Sequence, residues 1–271
     1  MLATFFINDA QKEGQWRLKH HAEDKFWQWL ASWAMVVRNP ADIGYQDDRY
    51  NLPKLNIENV IVDVKSKPKK GKLFSSIAKD LSERREARKE SMMDRVDVVK
   101  DLIKDMDSCL VWVDYNDESS LIKQQCGIVE VKGSDTDQHK EDSMIGFANG
   151  DIKFLVSKPS ICGFGMNFQK CHNMIFCGIS DSYEKFYQAV RRCYRFGQDK
   201  DVNVYVIIGR RELSVLQNIK KKERQHERMS LEMISRTSEI LKNEIHSTMK
   251  ITEDYVADVI VKIPDWLKEE K

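Results

Sequence analysis

The stretch YQAVRRCYRFGQ, residues 187–198, places Gln188, Arg192 and Arg195 at spacings of four and three. On a helix that spacing puts the three side chains on one face, with Arg191 turned roughly 100 degrees away. Two guanidinium forks and an amide in a row are suited to the oxygens of a phosphate or a carboxylate. Burying such a row against the protein's own sheet would leave many donors unpaired unless an anion or carboxylates met it. A purely structural alternative pairs the arginines with acidic neighbours such as Asp181 or Asp199. A second segment, CGFGMNFQ at 162–169, sets Gly163 and Gly165 around Phe164 and follows them with Asn167 and Gln169. Glycines at a strand-to-helix turn let the backbone approach a nucleotide or a phosphate closely. Taken alone, a GxG is weak evidence.

The surrounding elements must bring these two segments together. Short apolar runs, CLVWVDY, CGIVEVKG, IKFLVSK, NMIFCGI and VNVYVIIG, alternate with polar or helical stretches after a helix predicted from 91 to about 106. Strands alternating with helices imply an α/β fold with a parallel sheet covered on both faces. Its ligand side is the carboxyl edge of the strands. The glycine segment follows the strand at 152–157, and the arginine helix follows the strand at 173–179 with Asp181 or Ser182 as its cap, so both should face one crevice. Ahead of them, residues 15–38 carry Phe26, Leu30, Trp33 and Val37 at helical spacing and predict one long amphipathic helix. Pro40, Gly44 and Pro53 then mark a connection, and NIENVIVDVK reads as a strand. The following segment, 65–90, is dense in Lys and Arg, including Lys69, Lys70, Arg84 and Arg85. It is either a solvated surface helix or a phosphate-contacting one. Beyond 209 a charged amphipathic region predicts one or two helices leaving the sheet.

Composition limits the partners. Lys and Arg number 44 against 43 Asp and Glu, so no global field holds the chain on a polyanion, and any such site must be local. No apolar run approaches the roughly 18 residues of a membrane span, and the N-terminus lacks the pattern of a signal peptide. The six cysteines form no CxxC pair. Reduced thiols and a cytoplasmic location are the expectation, with no metal site.

The glycine segment and the arginine segment together resemble the fifth and sixth motifs of superfamily-two helicases. The match is to the chromatin-remodeller type of DNA translocase, with GxGxNxQ at Gly163, Gly165, Asn167 and Gln169, and QAxxRxxRxGQ at Gln188, Ala189, Arg192, Arg195, Gly197 and Gln198. The whole pattern looks like the helicases of phages and prophages of the DEAD/DEAH-box kind, over roughly residues 30–225. One departure is Arg191, where remodellers commonly have glycine. The resemblance implies a RecA-like second lobe at 107–209. Residues 1–55 would be the helical tail of a first lobe and the connection between lobes, 56–106 a strand with a basic helical insertion, and 210–271 a C-terminal helical extension. No GxxxxGK[ST] loop is present, and LVWVDYNDESS, which mimics a metal-binding acidic strand, falls where the family has the first strand of lobe two. The expectation is half a motor, inactive alone.

By resemblance, Arg192 and Arg195 would reach the phosphates of an ATP held with Mg2+ mainly by the first lobe, and Gln188 would help position the phosphate or the attacking water. Gly163, Gly165 and Asn167 would lie near the ribose or triphosphate. Ser157, Lys158 and Gln169 would lie along DNA, touching its backbone; the basic residues Lys69, Lys70, Arg84 and Arg85 would join them if their charged segment contacts phosphate rather than forming a solvated surface. The partners implied are DNA and an N-terminal helicase lobe, with no membrane. The competing class is a nucleic-acid-binding or partner-binding module without hydrolysis.

Overall fold

Runs of Val, Ile, Leu and Phe four to eight residues long become strands when both faces are covered, because every side chain then meets apolar packing. The computed structural model describes residues 2–8, 16–31, 33–63, 81–162 and 165–246 of the 271. A short helix α1 (Leu2–Phe5) leads into a small antiparallel hairpin of β1 (Phe6–Asn8) and β2 (Trp16–Leu18), and helix α2 (Glu23–Ala31) follows. After two 3-10 turns come β3 (Leu55–Val62), α3 (Leu81–Glu90), α4 (Met92–Ile103), β4 (Cys109–Trp112), α5 (Asn116–Cys126), β5 (Val129–Val131) and α6 (Asp137–Asn149). The chain continues through β6 (Phe154–Ser157), a single turn α7 (Pro159–Cys162), β7 (Asn173–Cys177), α8 (Tyr183–Val190) and β8 (Val202–Gly209) to the long α9 (Leu213–His246).

Six strands form one parallel sheet in the order β3-β8-β7-β4-β6-β5, a RecA-like layer with helices on both faces. Every residue of β4 and β7 is buried. Alternation along β4 splits the core in two: Leu110 and Trp112 pack with Phe147, Phe168 and Phe176 on one face, and Cys109 and Val111 with Val96, Val99, Ile122 and Ile207 on the other. From β4 the chain runs outward to β5, returns through β6, then crosses β4 to reach β7. The winding reverses beside β4, so the carboxyl edge there is where a ligand is expected.

One expectation needs correction. The segment 15–38 is not one helix: Trp16–Leu18 pairs with Phe6–Asn8, and the helix is confined to Glu23–Ala31. The strand expected at NIENVIVDVK lies at Leu55–Val62 and pairs along its whole length with β8 at the edge of the sheet.

The basic segment divides. Lys69 and Lys70 lie outside the described residues, while Arg88 on α3 and Arg95 on α4 are 4% and 0% exposed. Arg88 donates from Nε and Nη2 to the Glu118 carboxylate at 2.9 and 3.2 Å, and from Nη1 to Asp114 at 2.9 Å. Arg95 Nη2 lies 2.8 Å from the same Glu118. Both arginines also donate to the Cys177 carbonyl, at 3.1 and 2.6 Å. The DE-rich stretch after β4 that mimics a metal strand therefore supplies the counter-charges of a buried ion network, which staples α3 and α4 to the ends of β4 and β7. Gly178, at φ +88, sits against it: a Cβ there would lie 2.5 Å from Arg88 Nη2.

Burial alone would raise the Glu118 carboxyl, but Arg88 and Arg95 outweigh it and hold it below its ordinary 4.5. Its stabilisation is therefore present above the unfolded value and lost as pH falls through the depressed folded one. Glu212 goes the other way, raised by burial against the pull of Arg88 and Arg95. Its contribution is present at low pH and fades as pH rises through the raised value. Urea unfolding should show stability falling as pH drops below about 4.5, and Glu118→Gln should flatten that acid limb. An acid limb unchanged in the variant would remove Glu118 from this role.

Candidate functional site

Helix α8 starts where Ser182 Oγ accepts the Lys185 N–H at 3.3 Å, with Glu184 in its first turn. It ends at Val190, so Arg195 does not continue the helical row read from its spacing. Residues 191–197 form a turn instead. Gly197 takes φ +89, a conformation other residues rarely adopt. The buried Gln198 amide donates to three carbonyls, of Gln169 (2.9 Å), Cys171 (3.1 Å) and Cys193 (3.2 Å). One side chain thus clamps the arginine turn onto the segment that follows the glycines.

The clamp brings the two motif segments into contact. Phe168 N–H donates to the Arg192 carbonyl at 2.8 Å. Arg192 donates from Nη1 to the Met166 carbonyl at 3.2 Å and from Nε to the Gln188 carbonyl at 3.2 Å. Arg195 donates to the side-chain oxygen of Asn167. Among the described residues neither arginine forms an ion pair with a carboxylate. Asp181, the acidic neighbour favoured by the structural alternative, is bound to Arg84, to Asn218 at 3.2 Å and, through its carbonyl, to Lys222 at 2.6 Å. Burial and the nearby Arg195 charge together lower the pKa of Arg192. Two like charges are held together by neutral acceptors, an arrangement that an anion relieves.

The other candidates fall variously around this pair. Gly165, at φ +75, has open space where a side chain would be; Gly163 lies outside the described residues. Gln188 bonds Glu184 at 3.2 Å through its amide. Lys158 is half-buried at the carboxyl end of β6. Ser157 corrects its expected contact with DNA: it is 0% exposed, and its hydroxyl donates to the Val131 carbonyl at 2.8 Å. Gln169 is turned inward, its amide Nε2 close under Gly197. Of the basic residues, Arg84 is held by Asp181 and Arg85 is exposed.

Sequence reasoning missed the Arg88–Arg95–Glu118 network and the Gln198 clamp. The signal for the first was present in part: Arg95 stands one turn before Val99, on the apolar face of the helix predicted from 91. The crevice at the reversal beside β4, lined by Val113, Asp114, Pro159, Gly178 and Lys185, is about 10 Å3, room for one water at most. A larger groove at the amino edge is lined by Asp101, Asp105 and Asp107, which repel phosphate. Gly165, Asn167 and Phe196 beside the half-buried arginine pair are exposed, so the pair stands on an open face. Gln198→Ala, which strands three carbonyls, should lower unfolding stability by about 1–3 kcal/mol in urea titration; no measurable loss would mean the clamp is idle.

Residues 94–197 match the helicase conserved C-terminal domain, a span that includes Gly165, Asn167, Arg192 and Arg195. No curated protein matches the chain. Among solved structures, the C-terminal part of the Fun30 ATPase domain is similar at 21% identity, over 46% of this chain and 44% of that one, with a TM-score of 0.41. The E. coli DEAD-box protein SrmB, solved bound to the regulator of ribonuclease activity A, is similar at 12% identity over 48% of this chain and 79% of that one, TM-score 0.42. A DEAD box protein from the hyperthermophile Methanococcus jannaschii gives 15% identity over 65% and 41%, TM-score 0.44. The chain spans less than half the length of the first and third of these structures.

Proposed function

We propose that this chain acts as the second RecA-like lobe of an ATP-dependent DNA helicase or translocase, of the remodeller type found in phages and prophages. The observation that carries the reading is the pair Arg192 and Arg195, held side by side by carbonyl and amide acceptors with no carboxylate partner among the described residues. Charges arranged in this way suit the oxygens of a triphosphate, and they cost no rearrangement when charge spreads onto the transferred group. ATP with Mg2+ would supply the phosphoryl group, held mainly by a first lobe from a longer or separate chain. Arg192 and Arg195 would orient and neutralise the phosphates from the open face, with Gln188 at the rim and Gly165 and Asn167 beside them. Closure of the lobes would then be driven by nucleotide and released after hydrolysis.

DNA would be held through its backbone by the exposed Arg85, by Lys158 at the carboxyl edge and by Lys69 and Lys70. The cytoplasm is the compartment proposed, a reading supported by six free cysteines. No helix of the described residues is long and apolar enough to cross a membrane.

Calorimetric titration of the whole chain with inorganic tripolyphosphate tests the phosphate reading. Binding is expected, weakened about tenfold or more by Arg192→Ala or Arg195→Ala, as when a charge-assisted hydrogen bond is removed. A wild-type chain that ignores tripolyphosphate would overturn it. For DNA, the triple variant Lys69→Ala, Lys70→Ala, Arg85→Ala should lower the slope of log affinity against log salt by about one for each phosphate no longer neutralised. An unchanged slope would make that segment a solvated surface only. Removing 65–90 outright would not isolate this effect, since it would also take out the buried Arg88.

A further inference from the structure

Beside the arginine pair stand two aromatic rings that the phosphate reading leaves unused. Phe196 is 53% exposed and Tyr50 is 47% exposed. Their ring centroids are 5.0 Å apart at an interplanar angle of 37°. The two come from distant parts of the chain: Phe196 follows Arg195 directly, and Tyr50 ends the 3-10 turn Asp48–Tyr50 just ahead of β3. That turn is fixed in place. Asp47 accepts the Arg49 N–H at 3.1 Å and pairs with its guanidinium at 2.7 Å. Downstream, Lys54 N–H donates to Asp201 at 3.0 Å, and the Lys54 carbonyl accepts from Val202 at 2.9 Å.

Single apolar side chains scattered on a surface need no explanation. Two rings packed together, one of them directly following an arginine that has no carboxylate partner among the described residues, are a different feature. Arg195 turns its guanidinium to Asn167 while Phe196 turns its ring to Tyr50. The two groups therefore diverge from Cα atoms about 3.8 Å apart. A nucleoside triphosphate has the same two ends, a flat heteroaromatic ring and a charged tail.

We infer that the Phe196–Tyr50 pair stacks the base of the nucleotide whose phosphates meet Arg192 and Arg195. The inference rests on the phosphate reading above and adds to it a base subsite on this lobe. Stacking reads a π face, whichever hydrogen-bonding edge the base carries. ATP and GTP should therefore bind alike, and the smaller face of a pyrimidine triphosphate should bind less tightly.

Calorimetry on the whole chain, with tripolyphosphate, ATP, GTP and CTP compared under one salt condition, separates the parts. ATP and GTP are expected to bind about five- to a hundredfold tighter than tripolyphosphate, the range of one base–aromatic stack. Phe196→Ala should erase that advantage and leave tripolyphosphate affinity within about twofold, while Tyr50→Phe should preserve the advantage. Equal affinities for ATP and tripolyphosphate in the wild-type chain would overturn the base subsite and leave the phosphate reading standing. So would an ATP advantage that survives Phe196→Ala. Failure of tripolyphosphate itself to bind would overturn both.

Discussion

Arg195→Ala, in an assembly that joins this chain to a lobe carrying a phosphate-binding loop, is expected to lower ATP turnover by about a thousandfold or more. The chain's own unfolding midpoint should hardly move. Arg195 is half-buried at the edge of its turn, where its guanidinium makes one hydrogen bond, to the Asn167 side chain. Losing a single neutral-acceptor hydrogen bond at such a place costs about 1 kcal/mol or less. On the proposed role, Arg195 faces the transferred phosphoryl group, and losing its guanidinium removes charge stabilisation that matters most in the transition state. Arg195→Lys should recover little, because an ammonium offers a point charge and no fork. Arg192→Ala should affect both measures, since Arg192 also ties the Gln188 and Met166 carbonyls together. Near-normal turnover by Arg195→Ala would remove the arginine from the chemistry.

The second large effect concerns the fold that aims these arginines. Arg88→Ala is expected to lower unfolding stability by about 3–5 kcal/mol, the range for removing one member of a buried ion network. Whole domains are commonly stable by about 5–15 kcal/mol, so the loss is a substantial fraction. Glu118, 1% exposed, would be left facing Arg95 without its second counter-charge, and the Cys177 and Ile179 carbonyls would each lose a donor. Those carbonyls lie at the end of β7, from which the chain enters α8. Gly178→Ala strikes the same place by another route, since its φ of +88 and the 2.5 Å approach of Arg88 Nη2 leave no room for a methyl group. Urea titration of both variants measures this. A loss below about 1 kcal/mol in Arg88→Ala would show that the network does not hold α3 to the sheet.

Much of this architecture is legible in the sequence because fully buried strands declare themselves as apolar runs, as at CLVW and NMIFC, whatever their neighbours. The convergence of the two motif segments is also legible in outline, through strand order and the carboxyl-edge rule. The shape of the arginine turn is not. Spacing alone continues α8 through Arg195, but Gly197 and the three-carbonyl clamp of Gln198 end it at Val190, and two of those carbonyls, of Gln169 and Cys171, belong to residues distant in sequence. Charge alone cannot tell Arg85, which is exposed, from Arg88, whose carboxylate partners Asp114 and Glu118 come from the β4–α5 connection and the first turn of α5. Trp16 to Leu18 fits a helical pattern until a partner strand at Phe6–Asn8 claims its backbone. Ser157 stands at a strand end that suits a phosphate contact, and only the neighbouring β5 shows that its hydroxyl is already spent on Val131.

The most direct test of the half-motor reading is ATP turnover by residues 1–271 alone, with and without duplex DNA, measured beside Arg192→Ala. Turnover is expected to be no higher than the protein-free blank in every case, because no phosphate-cradling loop is found in the chain and the arginines stand on an open face. DNA-stimulated turnover that disappears in Arg192→Ala would contradict the half-motor reading, since a complete catalytic phosphate site would then lie within this chain.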